Sequence, residues 1–153
     1  MRHIHRVAVL GVIALFAAAV ASPARAAAFG VRTGVYADAN AGFVGGEVLT
    51  SIAPNFYFDP NLEVALANNH DVVTVNGDFH YDFLTDRSYY VWAGGGPGFI
   101  HREREFEPDR NDLGLNLLAG IGWKASAKVT PYVQAKLLVS SDDEAVLAFG
   151  MRF

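Results

Sequence analysis

From Phe29 to Phe153 the chain alternates between bulky apolar and small or polar side chains with a period of two. The last stretch shows it most clearly: Ala145, Leu147, Phe149, Met151 and Phe153 fall on one side, and Glu144, Val146, Ala148, Gly150 and Arg152 on the other. Leu113, Leu115, Leu117, Ala119, Ile121 and Trp123 likewise oppose Gly114, Asn116, Leu118, Gly120, Gly122 and Lys124. Val73, Val75, Gly77, Phe79, Tyr81 and Phe83 oppose Thr74, Asn76, Asp78, His80 and Asp82. Successive side chains of a strand point to opposite faces, so this period predicts strands. No stretch in this region sustains a helical period. The pattern divides into eight strands: Phe29–Ala37, Phe43–Ile52, Phe56–Leu66, Val72–Phe83, Tyr89–Phe106, Asp112–Lys124, Pro131–Ser141 and Glu144–Phe153. Between them lie turn-forming residues such as Asp38-Ala39-Asn40, Ala53-Pro54-Asn55, Asn68-Asn69-His70-Asp71 and Asp142-Asp143. Consecutive strands joined by tight turns predict an antiparallel up-and-down meander, closed into a barrel so that no edge is exposed.

Two orientations of such a barrel satisfy the alternation. A soluble lipocalin- or avidin-like barrel would enclose the apolar face around a ligand, whereas a transmembrane barrel turns that face toward lipid. The soluble form would crowd large side chains into a narrow interior and leave Gly120, Gly122 and Gly150 facing water, where glycine only weakens a strand. The transmembrane form puts glycine in the crowded lumen and the large residues in hydrocarbon. The sequence is therefore read as an all-β, eight-stranded antiparallel transmembrane β-barrel.

The N-terminus changes how the composition is read. Residues 1–26 begin with Arg2, His3, His5 and Arg6, continue through an apolar run from Val7 to Ala21, and end in Ser22-Pro23-Ala24-Arg25-Ala26. The run is shorter than the ~20 residues a helix needs to cross a bilayer, and Ala24-x-Ala26 supplies the small residues of a cleavage site. This predicts a cleaved signal peptide over 1–26 and a barrel domain over 27–153. Of the 52% hydrophobic content of the 153 residues, part then belongs to the signal, and the remainder need not be a large core. Loss of Arg2, Arg6 and Arg25 leaves nine basic against 16 acidic residues, a formal charge of −7 in place of −4. So acidic an exported chain is not predicted to bind nucleic acid. The absence of cysteine excludes thiolate metal sites and cysteine nucleophiles.

With the apolar face outside, the lumen is expected to hold Arg32, Glu47, Glu63, Asp78, His80, Asp82, Gln134, Lys136 and Arg152. Both signs are present, and an unpaired buried charge is costly, so these residues are expected to form one ion network. Eight strands leave room for side chains and little else, so general diffusion is not expected; a narrow porin is the weaker alternative. Aromatics gather at one end of the strands. Phe83, Tyr89, Tyr90, Trp92, Trp123 and Tyr132 are expected as a girdle at one membrane interface, where amphipathic rings rest.

Catalytic chemistry is not predicted. His80 and Asp82 share a face, but no Gly-x-Ser-x-Gly is present, and none of His70, His80 or His101 begins a His-x-Ser pair. This weighs against an outer-membrane lipid-modifying enzyme. Gly94-Gly95-Gly96-Pro97-Gly98 lacks the Lys-Ser/Thr of a phosphate loop, and is read as lumen packing with a bulge at Pro97. Asp109, Asp112 and the run Ser140–Glu144 are acidic at the rim, a pattern read as solvated turns. No metal and no cofactor are predicted.

The signal segment, the strand count and the last strand, Ala145 to Phe153, resemble the small eight-stranded outer-membrane β-barrels of Gram-negative bacteria, of the opacity and outer-membrane-protein-A-like type. The resemblance implies location in the cell outer membrane, with outer-membrane lipid and lipopolysaccharide as surroundings. It also implies that Leu147, Phe149, Met151 and Phe153 act as the signal read by the barrel assembly machinery. The loops depart from adhesin-like members in being only a few residues long, which speaks for a structural or interaction role other than loop-borne ligand binding.

Overall fold

The computed structural model describes residues 27–67, 70–83, 88–104, 108, 110–124 and 129–153. The expected signal segment, 1–26, lies outside the described residues. Eight strands follow one another: β1 (Ala27–Tyr36), β2 (Ala41–Ala53), β3 (Phe56–Ala67), β4 (His70–Phe83), β5 (Tyr89–Arg104), β6 (Arg110–Trp123), β7 (Thr130–Val139) and β8 (Glu144–Arg152). Each pairs antiparallel with its sequence neighbour, and β1 pairs with β8, so the sheet closes into a barrel. Strand lengths run from nine residues in β8 to 16 in β5. The shortest is therefore as long as the ~9–11 residues a tilted strand needs to span a bilayer.

The tight turns follow from local chemistry. Asn40 and Asn55 adopt φ of 48° and 59° in the β1–β2 and β2–β3 turns, and asparagine tolerates this left-handed region better than most residues. The one register shift among the described pairings lies in β2, between Ser51 and Ala53. The bulge expected at Pro97 is not there. β5 keeps one register against β4 on either side of Pro97 and pairs continuously with β6 through it. Ladder pairing to β4 lapses opposite Gly96 and Pro97 and then resumes in step; proline has no N–H to give the ladder. The irregularity is a missing bond and not an extra residue.

The alternation sorts the side chains as the transmembrane reading requires. Phe29, Val31, Val44, Phe79, Phe99, Leu115, Leu117, Leu137, Leu147 and Phe149 all face outward, and Leu113 is 78% exposed. On the inside, Arg32, Glu47, Glu63, Asp78, His80, Gln134, Lys136 and Arg152 are at most 3% exposed. A soluble ligand-binding barrel would need the reverse, so that alternative fails. An apolar belt around a charged interior is the arrangement that hydrocarbon stabilises. Among the described residues no helix is long and apolar enough to cross a membrane; the crossing is made by strands.

Candidate functional site

The lumen gathers most of the buried polar and charged side chains among the described residues, and it is layered along the barrel axis. At its middle sits a charged network. Glu47 of β2 receives Arg152 Nε at 2.7 Å and the Tyr132 hydroxyl at 2.8 Å, and Arg32 Nη1 lies 3.4 Å away. Glu63 of β3 receives Lys136 Nζ at 2.9 and 2.8 Å, Arg32 Nη2 lies at 3.1 Å, and the Tyr36 hydroxyl donates to it. Arg32 thus joins two clusters, each centred on a glutamate. These bonds tie β1, β2, β3, β7 and β8 together across the interior.

Beside this network runs a ladder of amides. Asn76 Nδ2 donates to Asn61 Oδ1 at 2.8 Å, and Asn116 Nδ2 donates to Asn76 Oδ1 at 2.8 Å and to Asp78 Oδ1 at 2.7 Å. Asn61 Nδ2 reaches Asp78 Oδ2 at 2.9 Å. Asn76 and Asn116 lie on the inward face that the alternation assigns them, and Asn61, Tyr36 and Asp59, not among the expected lumen residues, belong to the interior as well. Their parity was the signal: each shares a strand face with Arg32, Glu63, Asp78 or the inward glycines.

Toward the chain termini the lumen is closed by aromatic rings. Trp92 and Tyr132, expected on the lipid-facing girdle, are 1% and 2% exposed and lie inside. Tyr90 also points inward and packs at a tilt against Trp92, with ring centroids 5.3 Å apart. The correction has a geometric cause. Trp92 has the parity of Gly94 and Gly96, and Tyr132 that of Gln134 and Lys136, so alternation assigns all of them to the lumen whatever their height. Each inward ring lies opposite a glycine on the neighbouring strand: Tyr90 opposite Gly122, Trp92 opposite Gly120, Tyr132 opposite Gly150. A Cβ built on any of these glycines would collide with the facing ring. Arg152 lies over both Trp92 and Tyr132, at 5.0 and 4.4 Å from the ring centroids, and Trp92 Nε1 donates to Gln134 Oε1 at 3.2 Å. The remaining girdle residues, Phe83, Tyr89 and Trp123, are exposed on the outer wall at the same end.

At the opposite end the interior is apolar rather than polar. Tyr36, Ala41, Phe43, Ala65, Val72, Ile100, Leu138, Val146 and Ala148 form one buried cluster where β1, β3, β5 and β7 end. Beyond it, Glu144 accepts the backbone N–H of Asp38 and Ala39 at 2.7 and 3.0 Å. On the rim, Arg102 Nη1 meets Asp112 at 2.6 Å, and Arg110 meets Asp112 and Asp142, each at 3.2 Å. Asp112 and Asp142 of the acidic rim are thus engaged by arginine.

His80 and Asp82 come together near the aromatic end, Nε2 to Oδ1 at 3.4 Å, with Asp82 the more exposed of the two. Neither ring nitrogen of His80 has a hydrogen-bond partner among the described residues, so no hydroxyl is aligned with it there. Its ring packs between Tyr57 and Trp92.

The fold is that of the small outer-membrane barrels. The N-terminal β-barrel domain of Pseudomonas aeruginosa OprF superimposes with a TM-score of 0.73 at 11% identity, over 83% of this chain and 95% of that one. Neisserial surface protein A gives 0.64 at 12% identity, over 82% and 92%. The outer membrane enzyme PagL gives 0.54 at 14% identity, over 84% and 99%. No family model matches the chain, and no curated protein matches it in sequence. Identities this low carry the architecture and leave the role to be argued from the residues.

Proposed function

We propose that this chain is a non-enzymatic structural barrel of the outer membrane, whose lumen is a packed, closed interior and not a conduit. The observation that carries the reading is the layering of the lumen. An aromatic layer built on Tyr90, Trp92 and Tyr132, an ion network centred on Glu47 and Glu63, and an apolar layer containing Phe43, Ile100 and Leu138 succeed one another along the axis. A solute would have to break all three, and breaking a buried ion pair alone costs roughly 3–5 kcal/mol. The non-enzymatic reading is supported by His80, which packs between rings with no hydroxyl bonded to it. PagL combines the same architecture with enzymatic activity, so it is the residues and not the fold that speak here.

The partners belong to the same proposal. Outer-membrane lipid and lipopolysaccharide are the surroundings that the outward leucines, valines and phenylalanines fit. Leu147, Phe149, Met151 and Phe153, all exposed on the outer face of the last strand, are available to the barrel assembly machinery before the barrel closes. Planar-bilayer recording on the purified, folded barrel tests the closed lumen. The expected trace is silent; steady single-channel currents would overturn it.

A further inference from the structure

The interior charges do not balance. Arg32 faces the lumen from β1, Glu47 from β2, Asp59 and Glu63 from β3, Asp78 from β4, Lys136 from β7 and Arg152 from β8, all at most 3% exposed. Around the middle of the lumen β5 presents Gly94, Gly96 and Gly98, and β6 presents the neutral Asn116. Toward the mouths, Asp82 lies beside His80, Arg102 is paired with Asp112, and Glu144 is held by backbone N–H groups. The buried interior therefore sets three cations against four carboxylates.

The excess falls at one place. Glu47 and Glu63 take the close contacts of all three cations. Asp59 and Asp78 are direct cross-strand partners in the β3–β4 ladder and share the lumen face, an arrangement that puts Cβ atoms ~4.5–5.5 Å apart and is unfavourable for like charges. Among the described residues Asp78 is bonded only by neutral amides, those of Asn61 and Asn116. Asp59 Oδ2 has Arg152 Nη2 at 3.5 Å, but that arginine gives its short bond to Glu47. The other oxygen, Asp59 Oδ1, is buried with no partner among the described residues, and so is Asn116 Oδ1 on the amide that holds Asp78. A buried, uncompensated carboxylate in a membrane-embedded barrel is too costly to persist.

We propose that Asp59 and Asp78 form a binding site for one small monovalent cation, a proton or an alkali-metal ion, which brings the interior to neutrality. Two carboxylates and an amide oxygen are hard ligands; the interior excess is a single negative charge, which one monovalent ion balances and a divalent ion would overshoot, and the described residues hold no group of three acidic or histidine side chains placed for a metal. The site stands whether or not the barrel conducts, because conductance reads the pore and the dependence of stability on pH and cation reads the site.

The test is the urea-unfolding midpoint of the folded full-length barrel in detergent, followed by gel migration. It is read in choline, sodium and potassium buffers at neutral and alkaline pH. Wild type is expected to lose stability in choline as pH rises. Recovery on adding sodium or potassium identifies an alkali-metal ion; no recovery identifies the proton. Asp59→Asn removes the excess charge with nearly the same shape, and is expected to abolish both dependences. Glu63→Gln, which strips Lys136 and Arg32 of their partner, is expected to lower the midpoint under every condition. A wild-type midpoint indifferent to pH and to cation would overturn the proposal, as would Asp59→Asn behaving like Glu63→Gln. Should Asp59→Asn fail to fold, infrared difference spectra of wild type across the same buffers decide: a carboxyl or cation-shifted carboxylate band supports the site, and an unchanged spectrum removes it.

Discussion

Arg152, the penultimate residue, reaches from β8 across the lumen to Glu47 of β2, Nε to Oε1 at 2.7 Å, while its guanidinium lies over the rings of Trp92 and Tyr132. Glu47 in turn lies within 3.4 Å of Arg32 on β1. The contact therefore spans the β1–β8 closure from inside, where the ladder has seven paired positions against ten between β1 and β2.

Glu47→Ala leaves Arg152 without its short bond and removes an acceptor from Arg32 and Tyr132. The expected loss is about 3–5 kcal/mol, the cost of breaking a buried pair from one side. Arg152→Met removes the charge but keeps much of the bulk between Trp92 and Tyr132, so the double variant should lose less than the sum of the two. Urea unfolding in lipid vesicles, with the coupling taken from the double-mutant cycle, measures both. Strict additivity would show that the closure is not held through this contact.

The two tryptophans separate the inner from the outer wall. Trp92 is 1% exposed in the lumen, whereas Trp123 is 41% exposed on the lipid face. Single-tryptophan variants made by Trp92→Phe and Trp123→Phe should respond differently to brominated lipid acyl chains. Trp123 fluorescence should be strongly quenched and Trp92 fluorescence should hold. Equal quenching would put Trp92 back on the outer girdle.

That distinction marks where the sequence is legible and where it is not. Period-two alternation locates all eight strands and separates Leu113, Leu115 and Leu117 from Gly114 and Asn116, because one face meets hydrocarbon and the other a crowded interior. Tyr90, Trp92 and Tyr132 stand at the height of the girdle but have lumen parity, and parity prevails because large rings are not excluded from a lumen whose facing strands carry Gly122, Gly120 and Gly150. The apolar layer around Phe43, Ile100 and Leu138 was hidden for a related reason: a narrow barrel has to be filled at every level, and nothing in the pattern demands that each filler be polar. Which charges pair with which depends on register between strands distant in sequence. Lys136 and Glu63, 73 residues apart, meet across the lumen rather than along a strand pair.

Gly120 and Gly150 test the packing of the aromatic layer. A methyl group at either position would strike the ring opposite, Trp92 or Tyr132, which has no free space to retreat into. Gly120→Ala should cost about 1–3 kcal/mol as an overpacked core does. Combining it with Trp92→Phe, which shortens the facing ring, should recover part of that loss although each change alone destabilises. Measured unfolding free energies that simply add would mean the ring and the glycine are not in contact.

The outer wall makes a prediction of opposite character, because there the cost comes from lipid and not from neighbours. Leu117 lies near the middle of β6 and Leu113 near its start, both on the exposed face. An arginine in the centre of the hydrocarbon costs about 2–4 kcal/mol and close to the interface about 0–1 kcal/mol. Leu117→Arg should therefore lower the free energy of unfolding from lipid vesicles by about 2–4 kcal/mol, and Leu113→Arg by far less. In a detergent micelle, which deforms around a charge and admits water, the gap between the two should narrow. Packing against protein would cost the same in either medium, so an equal penalty at both positions, unchanged between vesicle and micelle, would argue that this face does not meet a bilayer.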